Sequence, residues 1–382
     1  MNSIVQCTLA TEYLVSYFAQ GEWESDINSN ARRGSTAKGK MAQAFSSLFN
    51  ETCTRTSSTA ISPNIFYRTV CSLYPQFSGY SQHDAQEFLR CILDGLHEDL
   101  RVPPTKPSKT YSEAEVDSWS DEKKARYSWD RFRKDGSSII LDLFGGLLHS
   151  SITCHRCKYR SSTFDFFMDL SVPIPQSGND ERPLLSFSRR SRSQKPVSLR
   201  ECLDEFTADE ILDGSEAYNC AKCKKPVKAT KRLRVCKAPD LLVIHLKRFA
   251  YDTYSGEKIE NVVDFPFSNL RIDNIMRPDV SPPSPVYDLY AVCGHSGSLH
   301  GGHYVAYTKS LSPYPPLPGS QQSSVHSLVE SSAPLASPWT PDSPALPALR
   351  ETWHLCNDSY VSPVNKAEAV SGAYVLFYKR RR

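Results

Sequence analysis

The chain has 382 residues, 40% of them apolar and 23% charged, enough to bury a sizeable core. Its 45 basic and 42 acidic residues leave a net charge of +3, which argues against a protein held to nucleic acid by overall charge but leaves room for a local charged surface. No run approaches the roughly 20 apolar residues that span a bilayer, and the opening Met1-Asn2-Ser3-Ile4-Val5-Gln6-Cys7 has no basic region of a signal peptide.

Residues 2–18 read as one helix, with Ile4, Val5, Leu9, Tyr13, Leu14, Tyr17 and Phe18 apolar and Gly21 at its end. After a polar loop, Met41, Ala44, Phe45, Leu48 and Phe49 suggest a second helix. Ser81-Gln82-His83-Asp84 fits a capping box that opens a third, with Phe88, Ile92, Leu93, Leu96 and Leu100 on one face and Pro103-Pro104 as its stop. Residues 105–125 are polar and expected to be exposed. From Ile139 the pattern changes to strands: Ile139–His149, Thr163–Val172, Leu233–Phe249, Val286–Gly294, His303–Thr308, Trp353–Cys356 and Ala373–Tyr378. Helices first and strands later predict an α+β fold. Two stretches, 176–196 and the Pro/Ser-rich 311–350, lack apolar periodicity and read as insertions, the second expected to be disordered.

Cys154-His155-Arg156-Cys157 and Cys220-Ala221-Lys222-Cys223 are two Cys-x-x-Cys pairs. Such knuckles hold four thiolates around one Zn²⁺, and four sulfurs leave no open coordination position, so a structural zinc is expected. The alternative is four unrelated reduced thiols. The pairs lie too far apart for one finger, so separate hairpins must bring them together. The pairing also points to a reducing compartment, hence a cytoplasmic or nuclear protein. The other eight cysteines read as buried small hydrophobes.

Gly301-Gly302-His303-Tyr304 puts a histidine straight after two glycines at the start of an apolar strand. Taken alone, this fits a surface-turn histidine better than a catalytic one. It also suits a general base for a thiol, and Asn357 or Asp358 in Trp353-His354-Leu355-Cys356-Asn357-Asp358-Ser359 can orient its ring.

These segments stand in order with Gly79-Tyr80-Ser81-Gln82-His83-Asp84-Ala85-Gln86-Glu87-Phe88, Asp142-Leu143-Phe144-Gly145-Gly146, Leu242 to Phe249, Asp264-Phe265-Pro266 and Ala373 to Tyr378. Together they resemble the catalytic domain of the ubiquitin-specific proteases across nearly the whole chain. The resemblance implies a papain-like cysteine isopeptidase with a fingers–palm–thumb architecture. Residues 1–135 would form the thumb, 136–250 palm strands and zinc-bearing fingers, and 251–382 the rest of the palm. It implies His303 as general base, Asn357 as its partner and Asp358 as an auxiliary. Gln82, Asp84, Glu87, His295, Gly301 and Gly302 would line the channel for the ubiquitin tail. The implied partners are ubiquitin and ubiquitinated proteins, with the chain monomeric and bound to neither nucleic acid nor membrane. One departure stands out: the family pattern puts the nucleophilic Cys two residues before Met1 and its oxyanion Asn five before. A truncated gene model or isoform of an active enzyme is therefore expected, which the retained His303, Asn357 and Asp358 favour. An inactive ubiquitin-binding relative is the alternative. Cys7 lies two turns from the helix N-terminus that a reactive thiolate needs.

Overall fold

The computed structural model describes residues 1–28, 38–54, 60–79, 81–102, 111–134, 136–176, 196–251, 256–278, 284–298, 301–310 and 352–381. Both predicted insertions lie largely outside them. No helix among the described residues is long and apolar enough to cross a membrane.

The first helical pattern divides in two, Asn2–Leu9 and Glu12–Ala19. At the break, Thr11 turns its hydroxyl toward Cys7 O (3.4 Å) and Tyr290 Oη (3.0 Å), which ties the junction to the sheet beneath. Gly21 stops the second piece at φ 74°, a left-handed conformation that favours glycine. The next long helices are Lys40–Thr54 and Ala85–Asp99. Asp99, at the end of one, accepts from the backbone N–H of Gly39, Met41 and Ala42 at the start of the other (3.0, 2.7 and 3.1 Å). The residue that caps Ala85–Asp99 is Asp84, not Ser81: its carboxylate accepts from Gln86 N (2.7 Å) and Glu87 N (3.2 Å). Within the polar stretch 105–125, the helix Glu113–Asp117 forms and Asp121–Lys134 begins.

Ile139–Phe144 is a helix, capped by Ser138 Oγ (3.2 Å from Leu141 N), and the strand starts only at Gly146. The unbroken apolar run hid this boundary, because such a run fits either element. Gly145 is required there, since a Cβ would stand 2.3 Å from Leu141 O. Leu233–Phe249 also divides. Ala229–Lys237 ends before Pro239, which has no N–H for a ladder, and Leu241–Lys247 continues in a different sheet.

The main sheet has eight strands. Seven run in the order Tyr360–Val364, Thr352–Asn357, Gly301–Ser310, Val286–Ser298, Ala373–Arg380, Leu241–Lys247 and Leu170–Pro173, with Leu270–Arg271 pairing Val286–Ser298. Its central strands are buried on both faces. Leu241, Val243, Val375 and Phe377 pack toward the helices. Leu242, Ile244, Leu376 and Tyr378 pack toward Leu199, Leu203, Ile272 and Ile275 on the other side. Each such side chain contributes roughly 1.5–3 kcal/mol of burial. A separate four-stranded sheet, ordered Arg160–Phe167, Gly146–Cys154, Ala229–Lys237 and Glu210–Leu212, carries the first Cys-x-x-Cys pair at its end. Helical thumb, eight-stranded palm and projecting fingers are the fold expected.

Ser310 and Thr352, which flank the Pro/Ser-rich segment, are register partners in adjacent antiparallel strands. Replacing 311–351 with a short turn is therefore expected to shift the Tm by less than about 2 °C, since closing a long flexible loop adds little free energy. A calorimetric scan showing a much larger loss would mean that the segment packs on the domain.

Candidate active site

His303 is the third residue of Gly301–Ser310, and its ring is exposed at the edge of the sheet. The neighbouring strand Thr352–Asn357 pairs with it through Ala306↔Cys356, which brings Asn357 level with the ring. The His303 Nε2–H donates to Asn357 Oδ1 at 2.7 Å. An amide oxygen only accepts, so this bond puts the proton on Nε2 and leaves the Nδ1 lone pair free to take another. Asp358 follows in a tight turn at φ 49°, its carboxylate 3.9 Å from Nε2. Asn2, at the start of the first helix, donates from Nδ2 to Asp358 O (3.2 Å). The positive end of that helix dipole therefore faces the histidine turn.

The glycines before His303 are set by contact. A Cβ at Gly302 would stand 2.2 Å from His295 Nε2 and 2.4 Å from Ser296 O, and the Gly302 N–H donates to Gln82 Oε1 (3.1 Å). A Cβ at Gly301 would meet Gln82 Nε2 at an ordinary 3.8 Å. His295 is 5% exposed, lies among Phe249, Tyr304 and Tyr374, and has its pKa pushed down to about 4 by burial. Its ring is neutral at pH 7. Asp84 accepts from the Tyr374 hydroxyl as well as capping its own helix, so Gln82 and Asp84 both reach this wall. Glu87 is one turn into that helix with an exposed side chain. Around these glycines the backbone is paired: His295↔Tyr304, Ser296↔His303, Gly297↔Gly302 and Ser298↔Gly301 form a two-stranded ribbon.

Three cysteines belong to the elements that build this site. Cys7, Cys293 and Cys356 are all buried in the core on the helical side. Burial raises the pKa of each, that of Cys293 to about 12. None is a ready thiolate at pH 7.

At the fingertip the two knuckles meet. The four Sγ atoms of Cys154, Cys157, Cys220 and Cys223 lie within 4.8 Å of one another. Cys154–Cys223 is 3.9 Å and Cys157–Cys220 is 3.6 Å, against the ~3.8 Å edge of a tetrahedron built on 2.3 Å Zn–S bonds. Each knuckle closes the same way. Cys157 N donates to Cys154 Sγ and Cys223 N to Cys220 Sγ, both at 3.4 Å, and Lys158 and Lys224 follow at φ 59° and 55°. Such N–H···S bonds favour thiolates; the Cys157 N–H is the main cause of the Cys154 pKa falling to about 7. The cluster fits a tetrahedral metal with no open position. Of the remaining cysteines, Cys202 is also buried, whereas Cys53, Cys71, Cys91 and Cys236 are half-buried.

The family model of ubiquitin carboxyl-terminal hydrolases matches residues 1–378. The chain belongs to that family. Among its relatives, ubiquitin carboxyl-terminal hydrolase 2 of Homo sapiens is 32% identical over 380 residues, covering 99% of this chain and 53% of that protein. Ubiquitin carboxyl-terminal hydrolase 21 of Rattus norvegicus is 31% identical over 393 residues, covering 99% and 59%. The chain thus spans little more than half the length of these relatives. The fold is also that of the SAGA Ubp8/Sgf11/Sus1/Sgf73 DUB module bound to ubiquitin aldehyde, with a TM-score of 0.64 and 23% identity over 100% of this chain and 67% of that one.

In this member of the hydrolase family, motif reasoning missed the residues that support the site. Tyr374 is one: a tyrosine inside an apolar strand reads as core, and only the fold shows it bonded to Asp84. The chain Gln86–Asp169–Ser171–His245 is another. Gln86 Nε2 donates to Asp169 Oδ2 (2.8 Å), Ser171 Oγ bonds the same oxygen (3.4 Å), and Ser171 Oγ bonds His245 Nδ1 (2.8 Å). It joins the capped helix to the sheet through residues far apart in sequence.

Proposed function

We propose that this domain hydrolyses isopeptide and peptide bonds at the C-terminal glycine of ubiquitin, using a thiol nucleophile with His303 as its general base. The observation that carries this reading is the 2.7 Å His303–Asn357 bond, which frees Nδ1 on the side away from Asn357. Asn357 holds the tautomer, and the nearby Asp358 carboxylate favours the imidazolium that forms once the thiol proton is taken. The thiolate attacks the glycine carbonyl, the amine leaves with the proton held by His303, and water hydrolyses the acyl-enzyme. Gln82, Asp84, Glu87, His295, Gly301 and Gly302 form the channel for the ubiquitin tail. Zn²⁺ on Cys154, Cys157, Cys220 and Cys223 holds the fingertip in shape. Ubiquitin and ubiquitinated proteins are the partners, the domain works as a monomer, and its location is cytoplasmic or nuclear.

The nucleophile in this reading belongs two residues before Met1, at the N-terminal end of the first helix, where the dipole and His303 together lower a thiol pKa. A second reading, binding without cleavage, is favoured for residues 1–382 alone by the burial of Cys7, Cys293 and Cys356. A ubiquitin carrying a thiol-reactive C-terminus separates the two. It is expected to form no adduct with the 382-residue chain, and one adduct when the chain is prefixed with a longer family-like segment ending in Asn-Thr-Cys-Phe, the prefix in each experiment below. Adduct formation at Cys7 in the unprefixed chain would overturn the assignment.

A further inference from the structure

The strand carrying His295 loses its neighbour before it reaches the site. Ala373–Arg380 pairs with it only as far as Gly294↔Ala373; a last bond runs from His295 N–H to Gly372 O (2.8 Å), and the backbone then turns away with Gly372 at φ 73°. Beyond that point the ribbon that bears Gly301, Gly302 and His303 projects as two strands alone. Along one strand, alternate carbonyls face the same neighbour. The carbonyls of His295 and Gly297 therefore face the side that Ala373–Arg380 has left, while Ser296 between them faces His303.

We infer that Lys258 is a positioning residue that takes the place of the missing strand and fixes the His303 ribbon. Its ammonium donates to His295 O at 3.2 Å and to Gly297 O at 2.8 Å, the two carbonyls on either side of the residue paired with His303. The side chain is 7% exposed, and its carboxylate partner among the described residues is Glu260 at 3.7 Å. Two fixed acceptors and little freedom make this a strut rather than a surface charge. Its base is rigid. Lys258 ends the strand Gly256–Lys258, and the next residue, Ile259, donates from N to Arg248 O (2.7 Å). Arg248, 1% exposed, returns bonds from its guanidinium to Ile259 O (2.9 Å), Asn261 O (2.8 Å) and Ala373 O (2.6 Å). The same block thus caps the end of the departing strand through Arg248 and the exposed edge of the ribbon through Lys258. Glu260 is the charged group beside the ammonium, and Lys258, Asp84, Glu260 and Arg248 all act on the neighbouring His295 ring.

The consequence for catalysis rests on the function proposed above; the mechanical claim does not. Deuterium exchange is measured on the whole 382-residue chain, wild type against Lys258→Met and Lys258→Arg. Lys258→Met is expected to speed exchange in residues 294–304 about tenfold or more, leaving the core strands unchanged, because an uncapped ribbon opens locally. Arginine, which can also reach two carbonyls, restores the protection. In the chain prefixed with Asn-Thr-Cys-Phe, Lys258→Met lowers kcat by about 10- to 100-fold, as expected when a general base is displaced by a fraction of an ångström, with a smaller change in KM. Unchanged exchange in 294–304, or an equal rise in every peptide, overturns the inference, and so does local loosening with kcat intact. If the prefixed wild-type chain itself fails to cleave, the proposed function falls while the exchange result still decides whether Lys258 is a strut.

Discussion

Stripping the metal from the fingertip, or replacing Cys220 with serine, is expected to open the tip to protease and leave the palm folded. Four sulfurs at tetrahedral spacing join the two knuckles, which also meet where His155 N–H donates to Lys228 O (3.0 Å); Tyr218–Cys220 itself pairs with Lys225–Val227 as a two-stranded sheet. An isolated two-stranded hairpin is marginal in water, so the proposed zinc would supply much of its order. Structural zinc contributes roughly 10 kcal/mol or more of apparent binding free energy in small fingers, and losing even ~3 kcal/mol of local stability raises the open population about 100-fold. Lys222 and Lys224 are exposed in the second knuckle and give trypsin its sites. Fast cleavage there after chelation, with one zinc per chain lost by elemental analysis, is the expected result. Affinity should also fall as the pH drops, because the thiolates must be deprotonated to bind. A chain that holds no zinc, or a Cys220→Ser protein as resistant as wild type, would contradict it.

In the chain prefixed with Asn-Thr-Cys-Phe, His303→Ala is expected to lower kcat by about 10⁴-fold or more, the scale seen when the base of a catalytic triad is removed. Asn357→Ala should cost less, roughly 10²- to 10³-fold, because Asp358 at 3.9 Å remains to attract Nε2. The double variant Asn357→Ala with Asp358→Ala should then approach the loss from His303→Ala. Both residues are exposed at a strand end, so the Tm should barely move. Steady-state kinetics with a fluorogenic ubiquitin C-terminal substrate measure this series. If His303→Ala retained most of the rate, the general base would lie elsewhere.

Much of the site could be read before any fold was known, because its chemistry sits in contiguous motifs. The four cysteines were named from their spacing and His303 and Asn357 from the family resemblance; the fold sets the four Sγ atoms within 4.8 Å of one another and His303 2.7 Å from Asn357. Boundaries were harder. Ile139–Phe144 and Gly146–Cys154 share one apolar run, and only Gly145 marks the change of period. Asp84 was hidden as a helix cap because Ser81, three residues earlier, offered the commoner signature. Lys258, Arg248 and Tyr374 were not legible at all. Each acts on backbone or side chains more than ten residues away in sequence, and nothing in composition or periodicity marks a lysine that replaces a strand.

The most direct test is turnover of the fluorogenic ubiquitin substrate by two polypeptides, residues 1–382 as they stand and the same residues prefixed with Asn-Thr-Cys-Phe. The first should release no fluorophore above background. Its site cysteines, Cys7, Cys293 and Cys356, are buried core thiols whose pKa burial raises. The second should turn the substrate over and lose that activity with His303→Ala. Turnover by the unprefixed chain that Cys7→Ser abolished would contradict the account, as would a prefixed, folded chain that bound ubiquitin and never cleaved it.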